Sequence, residues 1–192
     1  MVEIAAQNLI QVRRILLREL GEVDRAAFIR YQTDPKYLSL YDFGDDVERP
    51  SQLFDLFLNW RREQPRLNFQ LGIFDSATGR LLGCGGLRKA NDHSAVLGIE
   101  LAPSEWGRFR VAIDAVAALL GHGFGPLGLE TIFGDTANGN RRIEKLARWF
   151  GAEIVAQRDG PAWMQARGWQ EVDWSLSRHE WEQAKDRLGR AL

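Results

Sequence analysis

The sequence predicts a mixed α/β fold: a twisted, mostly antiparallel sheet of about seven strands with helices on both faces. Three observations carry that expectation. Strand-like runs between Phe69 and Leu101 are separated by the turn sequences Asp75-Ser76-Ala77-Thr78-Gly79 and Asn91-Asp92-His93, which is the pattern of an antiparallel meander. Segments after Glu22, Ser51, Val111 and Asn140 repeat apolar residues at helical spacing. From Gly98 to Gly151 an apolar strand runs into a polar loop with two arginines, a long apolar helix, a short strand and a second helix. The chain has 192 residues, enough to bury a substantial core as one domain over 1–192.

Taken in order, residues 1–11 have weak helical character and read as an N-terminal arm or an extra turn of helix. Arg13 to Leu20 places Ile15, Leu16 and Leu17 between arginines, as in a strand, and Gly21 closes it. The helix that begins at Glu22 stops before Asp34-Pro35, because proline disfavours helix for its predecessor. Lys36 to Arg49, with Tyr37, Tyr41, Asp42, Asp45 and Asp46, reads as a loop, either solvated or part of a substrate mouth. Ser51 is the expected cap of a helix carrying Leu53, Phe54, Phe57, Leu58 and Trp60.

In the meander, Gly83, Gly85 and Gly86 weaken the middle strand and predict close approach of another backbone or a ligand. A helix to about Gly121 or Phe124 follows the arginine loop, then a strand at Thr131 to Gly134. Asn138 or Asn140 caps the next helix, which Gly151 ends. Strands at Glu153 to Ala156 and Glu171 to Leu176, joined by a Gly160-Pro161 loop, complete the sheet. Ser177 and Glu180 form a capping box for a C-terminal helix over 178–192.

Composition excludes several functions. Lys plus Arg number 25 against 26 Asp plus Glu, so neither the basic footprint of a nucleic-acid binder nor a polybasic membrane anchor is present. The single cysteine, Cys84, excludes an internal disulfide, and no histidine or second cysteine stands at zinc-ligand spacing, so no metal is expected. The apolar run at Ile15 to Leu17 is too short for a signal peptide or a membrane span, and the expected location is cytoplasmic. Trp163, Trp169, Trp174 and Trp181 crowd the C-terminal segment, as a substrate wall, a homodimer surface or the far side of the core.

The strand-loop-helix at Pro103 to Val111 is suited to an anion. A helix start presents backbone N–H groups and the positive end of its dipole, and Arg108 and Arg110 add full charges beside them. A phosphate-bearing ligand is the expectation there.

The order of elements, with ILLREL, DSATGRLLGCGGL, LGIELAPSEWGR, DAVAALLGHGFGPLGLETI and NRRIEKLARWFGA, resembles the GNAT N-acetyltransferase superfamily, and within it the members related to ribosomal-protein acetyltransferases. The likeness covers about Arg13 to Arg178. It implies acetyl-CoA as co-substrate, a small-molecule or protein amine as acceptor, and direct attack in a ternary complex. By position it implies that Leu101 and Ala102 face the thioester, that Trp106, Gly107, Arg108, Phe109, Arg110 and Val111 form the pyrophosphate loop, and that Asn140 contacts the cofactor.

Acyl transfer to an amine needs a group to take the amine's proton. Glu100, on the strand expected to meet the thioester, is the candidate base, its alternative being a strand glutamate turned to solvent. Three departures from the family pattern stand beside this. Phe109 and Val111 occupy loop positions where small residues are usual, Ala147 stands where a thiolate-protonating tyrosine is common, and the tail is unusually rich in tryptophan. Tyr37 and Tyr41 replace the missing acid only if their loop folds over the site. The competing reading is a degenerate, non-catalytic binding or assembly module of the same fold.

Overall fold

The computed structural model describes residues 10–40, 46–89 and 91–191, with side chains up to residue 186. Residues 1–9 of the arm expected over 1–11, and Tyr41, Asp42 and Asp45, lie outside the described residues. Eight strands are present among the described residues: β1 (Ile10–Val12), β2 (Ile15–Glu19), β3 (Asn68–Asp75), β4 (Leu81–Lys89), β5 (Ser94–Leu101), β6 (Thr131–Ala137), β7 (Glu153–Asp159) and β8 (Gln170–Ser177). They hydrogen-bond in the order β1-β2-β3-β4-β5-β6-β8-β7. β5 and β6 run parallel, Ser94 to Val96 alongside Thr131 to Phe133, whereas the β1–β2, β2–β3, β3–β4, β6–β8 and β7–β8 ladders are antiparallel. The helices are α1 (Arg25–Gln32), α2 (Pro35–Leu38), α3 (Arg49–Trp60), α4 (Phe109–Phe124), α5 (Arg141–Phe150), α6 (Ala162–Gln165) and α7 (Arg178–Ala191).

The strand beyond the expected seven is β1. Ile10 and Gln11 belong to it rather than to a helix, because Arg13 takes a positive φ of 54° and turns the chain back to pair Ile10 with Leu17. Two short helices replace expected loops. Asp34 accepts the N–H of Lys36 at 2.8 Å and Pro35 fills the first helical position, so α2 starts where the sequence suggested a break. Pro161 likewise precedes α6. α3 begins at Arg49 rather than at Ser51. Asp46 Oδ1 accepts the N–H groups of Glu48 and Arg49, both at 3.1 Å, and Pro50 needs no partner for the N–H it lacks. Ser51 lies inside the helix and accepts from Arg25 Nη1 at 3.3 Å.

By contact density the chain divides into two compact units, residues 1–88 with 98–119, and residues 89–97 with 120–192. In the first, Phe28, Tyr31, Phe54 and Phe57 from α1 and α3 pack with Leu20, Phe74, Leu81 and Cys84. The Phe28 ring lies 5.2 Å from both Tyr31 and Phe54. Burying a phenylalanine of this kind contributes about 2–3 kcal/mol. The β4 glycines are explained by their neighbours. A Cβ on Gly83 would stand 2.2 Å from the carbonyl oxygen of Glu100, and one on Gly86 2.2 Å from that of Phe69. Next to Gly83 the ladder slips: Ile73 pairs with Gly83 but Phe74 with Leu81, which leaves Leu82 as an extra residue.

In the second unit, Asn140 caps α5 by accepting from the N–H of Ile143, and Gly151 ends the helix at a φ of 83°. The capping box of α7 is formed as the sequence predicts, Glu180 accepting the N–H of Ser177 at 2.6 Å and Ser177 Oγ that of Glu180 at 3.3 Å. Trp174 and Trp181 are core residues, the latter packing on Phe124 and Phe150. Trp163 and Trp169 make a half-buried edge-to-face pair with Arg167 beside both rings.

Candidate active site

Two carboxylates define the site region of the first unit, at either end of the passage from β5 to α4. Pro103–Glu105 form a single 3₁₀ turn after β5, in which the N–H of Glu105 bonds to Ala102 O at 2.8 Å. Trp106 then extends and Gly107 takes a φ of 94°. A Cβ there would meet nothing within 4 Å, so this glycine serves the turn rather than a close approach. The N–H of Arg108 returns to Glu105 O at 3.0 Å, and α4 begins at Phe109.

Glu105 is the residue that sequence reasoning missed in this loop. It is 2% exposed, and its carboxylate accepts from Arg80 Nη1 at 2.7 Å, Arg108 Nη1 at 2.6 Å and Ser104 Oγ at 3.2 Å. Burial alone would raise its carboxyl, but the two guanidinium partners outweigh that and hold it below the ordinary glutamate value. The same contact raises Arg108. Arg108 is therefore an anchored cation whose charge is shared with Glu105. Arg110, one turn into solvent, acts on Asp114 of α4, whose carboxyl is pushed up by burial and eased down by Arg13 and Arg110.

An anionic ligand nevertheless suits this place. Two guanidiniums and one carboxylate leave the Arg80-Glu105-Arg108 cluster with a net positive charge. Arg108 and Arg110 are exposed, and the helix start adds its dipole. Phe109 and Val111 are half-buried, so their bulk is turned partly into the unit.

At the end of β5 the backbone is held by the chain's own loop. Leu101 O accepts the indole N–H of Trp106 at 2.9 Å, and the N–H of Ala102 donates to Leu82 O at 2.8 Å. Asn140 lies in the second unit, where its side chain caps α5.

Glu100 does not simply point into solvent. Its Oε1 accepts from Tyr31 Oη at 2.7 Å, Gln32 Nε2 at 2.6 Å and Cys84 Sγ at 3.0 Å, and its Oε2 accepts a short hydrogen bond from the Tyr37 hydroxyl. Further contacts hold the donors in place: Gln32 Nε2 also donates to Tyr37 Oη at 3.1 Å, Gln70 Nε2 donates to Cys84 Sγ at 3.3 Å, and Tyr31 Oη lies against that sulfur at 3.2 Å, with the Tyr31 and Cys84 protons both turned to Glu100. Tyr31, Gln32, Tyr37, Gln70 and Cys84 are all buried, whereas Glu100 keeps partial exposure. Burial, and then the neighbouring Glu100 and Cys84, push the Tyr31 hydroxyl well up, and burial followed by Glu100 does the same to the Cys84 thiol. Both therefore stay protonated and able to donate.

Gln32 carries a cost in this arrangement. With its amide nitrogen committed to Glu100 and Tyr37, its carbonyl oxygen is buried with no partner among the described residues, worth about 1–3 kcal/mol of lost solvation.

Among the candidate residues, the first unit thus contains Glu100, Leu101, Ala102 and the Trp106 to Val111 loop in succession, with Tyr37 joining Glu100. Tyr31, Gln32, Cys84 and Glu105 were not foreseen as site residues. The Asp34-Pro35 start signal was the available pointer to Tyr37, since a helix there aims the tyrosine back onto the sheet. Among the described residues no cluster of metal-ligating side chains occurs, and no helix is long and apolar enough to cross a membrane.

Comparison with known proteins matches this architecture. The family model of the acetyltransferase (GNAT) domain matches residues 14–153. Among solved structures, Mycobacterium smegmatis RimJ in complex with CoA-disulfide superposes with a TM-score of 0.77 at 20% identity, covering 95% of this chain and 93% of that one. The ribosomal-protein-S5-alanine acetyltransferase of Vibrio fischeri gives 0.74 at 14% identity, covering 90% and 98%. Apo FdhC, a nucleotide-linked sugar GNAT, gives 0.74 at 17% identity, covering 95% and 97%. Curated protein sequences contain no significant match. The matched span contains β2 to α5 and with them both carboxylates and the arginine loop, and the chain belongs to the GNAT acetyltransferase family.

Proposed function

We propose that the protein is an acetyl-CoA-dependent N-acetyltransferase that transfers the acetyl group to a primary amine of a small molecule or a protein by direct attack in a ternary complex. The observation that carries this is Glu100: a partly exposed carboxylate, held by four neutral donors, on the strand that enters the arginine loop. In this role it takes the proton of the attacking amine, an effect worth about 100- to 10,000-fold in rate. The start of α4 with Trp106, Gly107, Arg108, Phe109, Arg110 and Val111 holds the pyrophosphate of the co-substrate. Leu101 and Ala102 face its thioester, and Asn140 contributes a further contact. The co-substrate supplies the activated acyl carbon, and the residues of this chain orient it and receive the proton. Similar structures support the reading, one being a complex with CoA-disulfide, another a ribosomal-protein-S5-alanine acetyltransferase and a third a nucleotide-linked sugar GNAT. They span both protein and small-molecule acceptors.

Calorimetric titration with acetyl-CoA, followed by CoA-thiol release across a panel of primary amines, tests the proposal. Micromolar binding that weakens in the Arg108→Ala, Arg110→Ala double variant, with thiol release on at least one amine, is the expected result. Two observations favour a second reading, a binding module without turnover: Arg108 is already engaged by Glu105, and Ala147 of α5 brings no acid. Binding without thiol release on any amine would support that reading, and no binding at millimolar acetyl-CoA would remove the enzyme proposal.

A further inference from the structure

The four donors around Glu100 are unevenly distributed, and the unevenness selects an atom. Oε1 accepts from three side chains on three positions of the fold, Tyr31 and Gln32 at the end of α1 and Cys84 on β4. A carboxylate oxygen offers about two lone-pair directions, so Oε1 is filled. Oε2 has the Tyr37 hydroxyl, donated from α2, and that hydroxyl is itself oriented by the N–H of Gln32. Because Gln32 Nε2 occupies the acceptor side of the Tyr37 oxygen, the tyrosine proton is directed toward Oε2.

We infer that Glu100 works through a single atom, Oε2, and that Tyr37 and Gln32 are its positioning residues. The inference rests on the proposed acetyl transfer for the identity of the proton donor. In that step an N–H bond of the ammonium form breaks and its proton forms an O–H bond on Oε2, the freed electron pair forms the N–C bond to the acyl carbon, the C–S bond breaks with its pair on sulfur, and a second amine proton passes to the departing thiolate, which leaves as CoA thiol. Tyr31 and Cys84 secure the opposite oxygen, so the carboxylate cannot rotate to exchange the two. The groups facing Glu100 are the titratable Tyr31, Tyr37 and Cys84 and the neutral Gln32, with Gln70 of β3 behind the sulfur. No lysine or arginine is among these hydrogen-bond partners. Gln32 holds its amide with the nitrogen toward Glu100 and Tyr37, and its carbonyl has no partner among the described residues.

The arrangement predicts a ranking that a general packing role does not. Tyr37→Phe deletes the hydroxyl on Oε2, and Tyr31→Phe deletes one of three donors on Oε1. Measured by CoA-thiol release, kcat is expected to fall about tenfold in Tyr37→Phe and clearly less in Tyr31→Phe, with KM, the thermal midpoint and acetyl-CoA affinity near wild type. An equal or larger loss in Tyr31→Phe overturns the inference. A crystal structure of the wild type with an amine acceptor and a non-transferable CoA analogue is expected to put the amine nitrogen within hydrogen-bond reach of Oε2, a test that stands even if Tyr37→Phe fails to fold; contact with Oε1 instead overturns the inference. Absence of thiol release by the wild type on any amine, with the acceptor nitrogen on Oε2, removes the proposed function but upholds the arrangement of the carboxylate.

Discussion

Glu100 and Glu105 are five positions apart, each takes several hydrogen bonds, and the two have opposite surroundings. Glu105 is met by two guanidiniums, which cancel its charge and tie the arginine loop to the turn between β3 and β4. Glu100 is met by two phenols, an amide and a thiol, which orient it without cancelling its charge. Neutral donors preserve a reactive anion, whereas cationic partners convert one into a structural joint. The two sites therefore respond to different perturbations.

The largest difference is expected in rate. Glu100→Gln should lower kcat/KM by about 100- to 10,000-fold with little change in thermal midpoint, as read by CoA-thiol release beside calorimetry. Equal loss in Glu105→Gln would erase the distinction. Glu105→Gln should instead cost about 2 kcal/mol in denaturant unfolding, less than a fully buried ion pair because both arginines are about half exposed. The pH dependence of stability separates them further. The carboxyl of Glu105 is lowered on folding, so its contribution is present above its ordinary value of 4.5 and fades as the pH falls through the folded value. Glu105→Gln should flatten that part of the stability curve. An unchanged acid slope would show that the pairing contributes little in solution.

Smaller effects sharpen the same contrast. Arg108→Ala should weaken acetyl-CoA binding several-fold, and Glu105→Gln, by releasing Arg108, should not weaken it as much. Gln32→Leu removes two donors together with the unpartnered carbonyl, so its stability should change by less than about 1 kcal/mol while kcat/KM falls. A stability loss beyond that would mark Gln32 as chiefly structural.

Much of the fold was legible because its signals are local. Turn sequences marked the β3–β4–β5 meander, and Asn140, Gly151, Ser177 and Glu180 marked helix ends that form as expected. Glu100 and the loop to Val111 were legible through their order along the chain. Tyr31, Cys84 and Glu105 were not, because their roles depend on contacts across sequence separations of up to 69 residues. Tyr31 lay within an apolar helical repeat, where an aromatic reads as core. Burial of Glu105 ran against the usual exposure of glutamate. The tail tryptophans separated only once packing was visible, Trp174 and Trp181 into the core and Trp163 with Trp169 into a half-buried pair.

The extra residue at Leu82 bears on how this protein can change over generations. Side chains alternate along a strand, so one inserted residue reverses every facing beyond it. With the slip in place, Cys84 meets Glu100. Were Leu82 forced into the ladder instead, the thiol would leave that face of the sheet. Length variation in the turn at Asp75 to Gly79 is therefore an open route for drift, since a hairpin loop can grow or shrink outside the ladder. A single-codon deletion at Leu82 is a costlier one: Gly83 stays opposite Ile73 and Leu81 opposite Phe74, so Cys84 keeps its face, but the carbonyl that accepts the N–H of Ala102 at the end of β5 is lost.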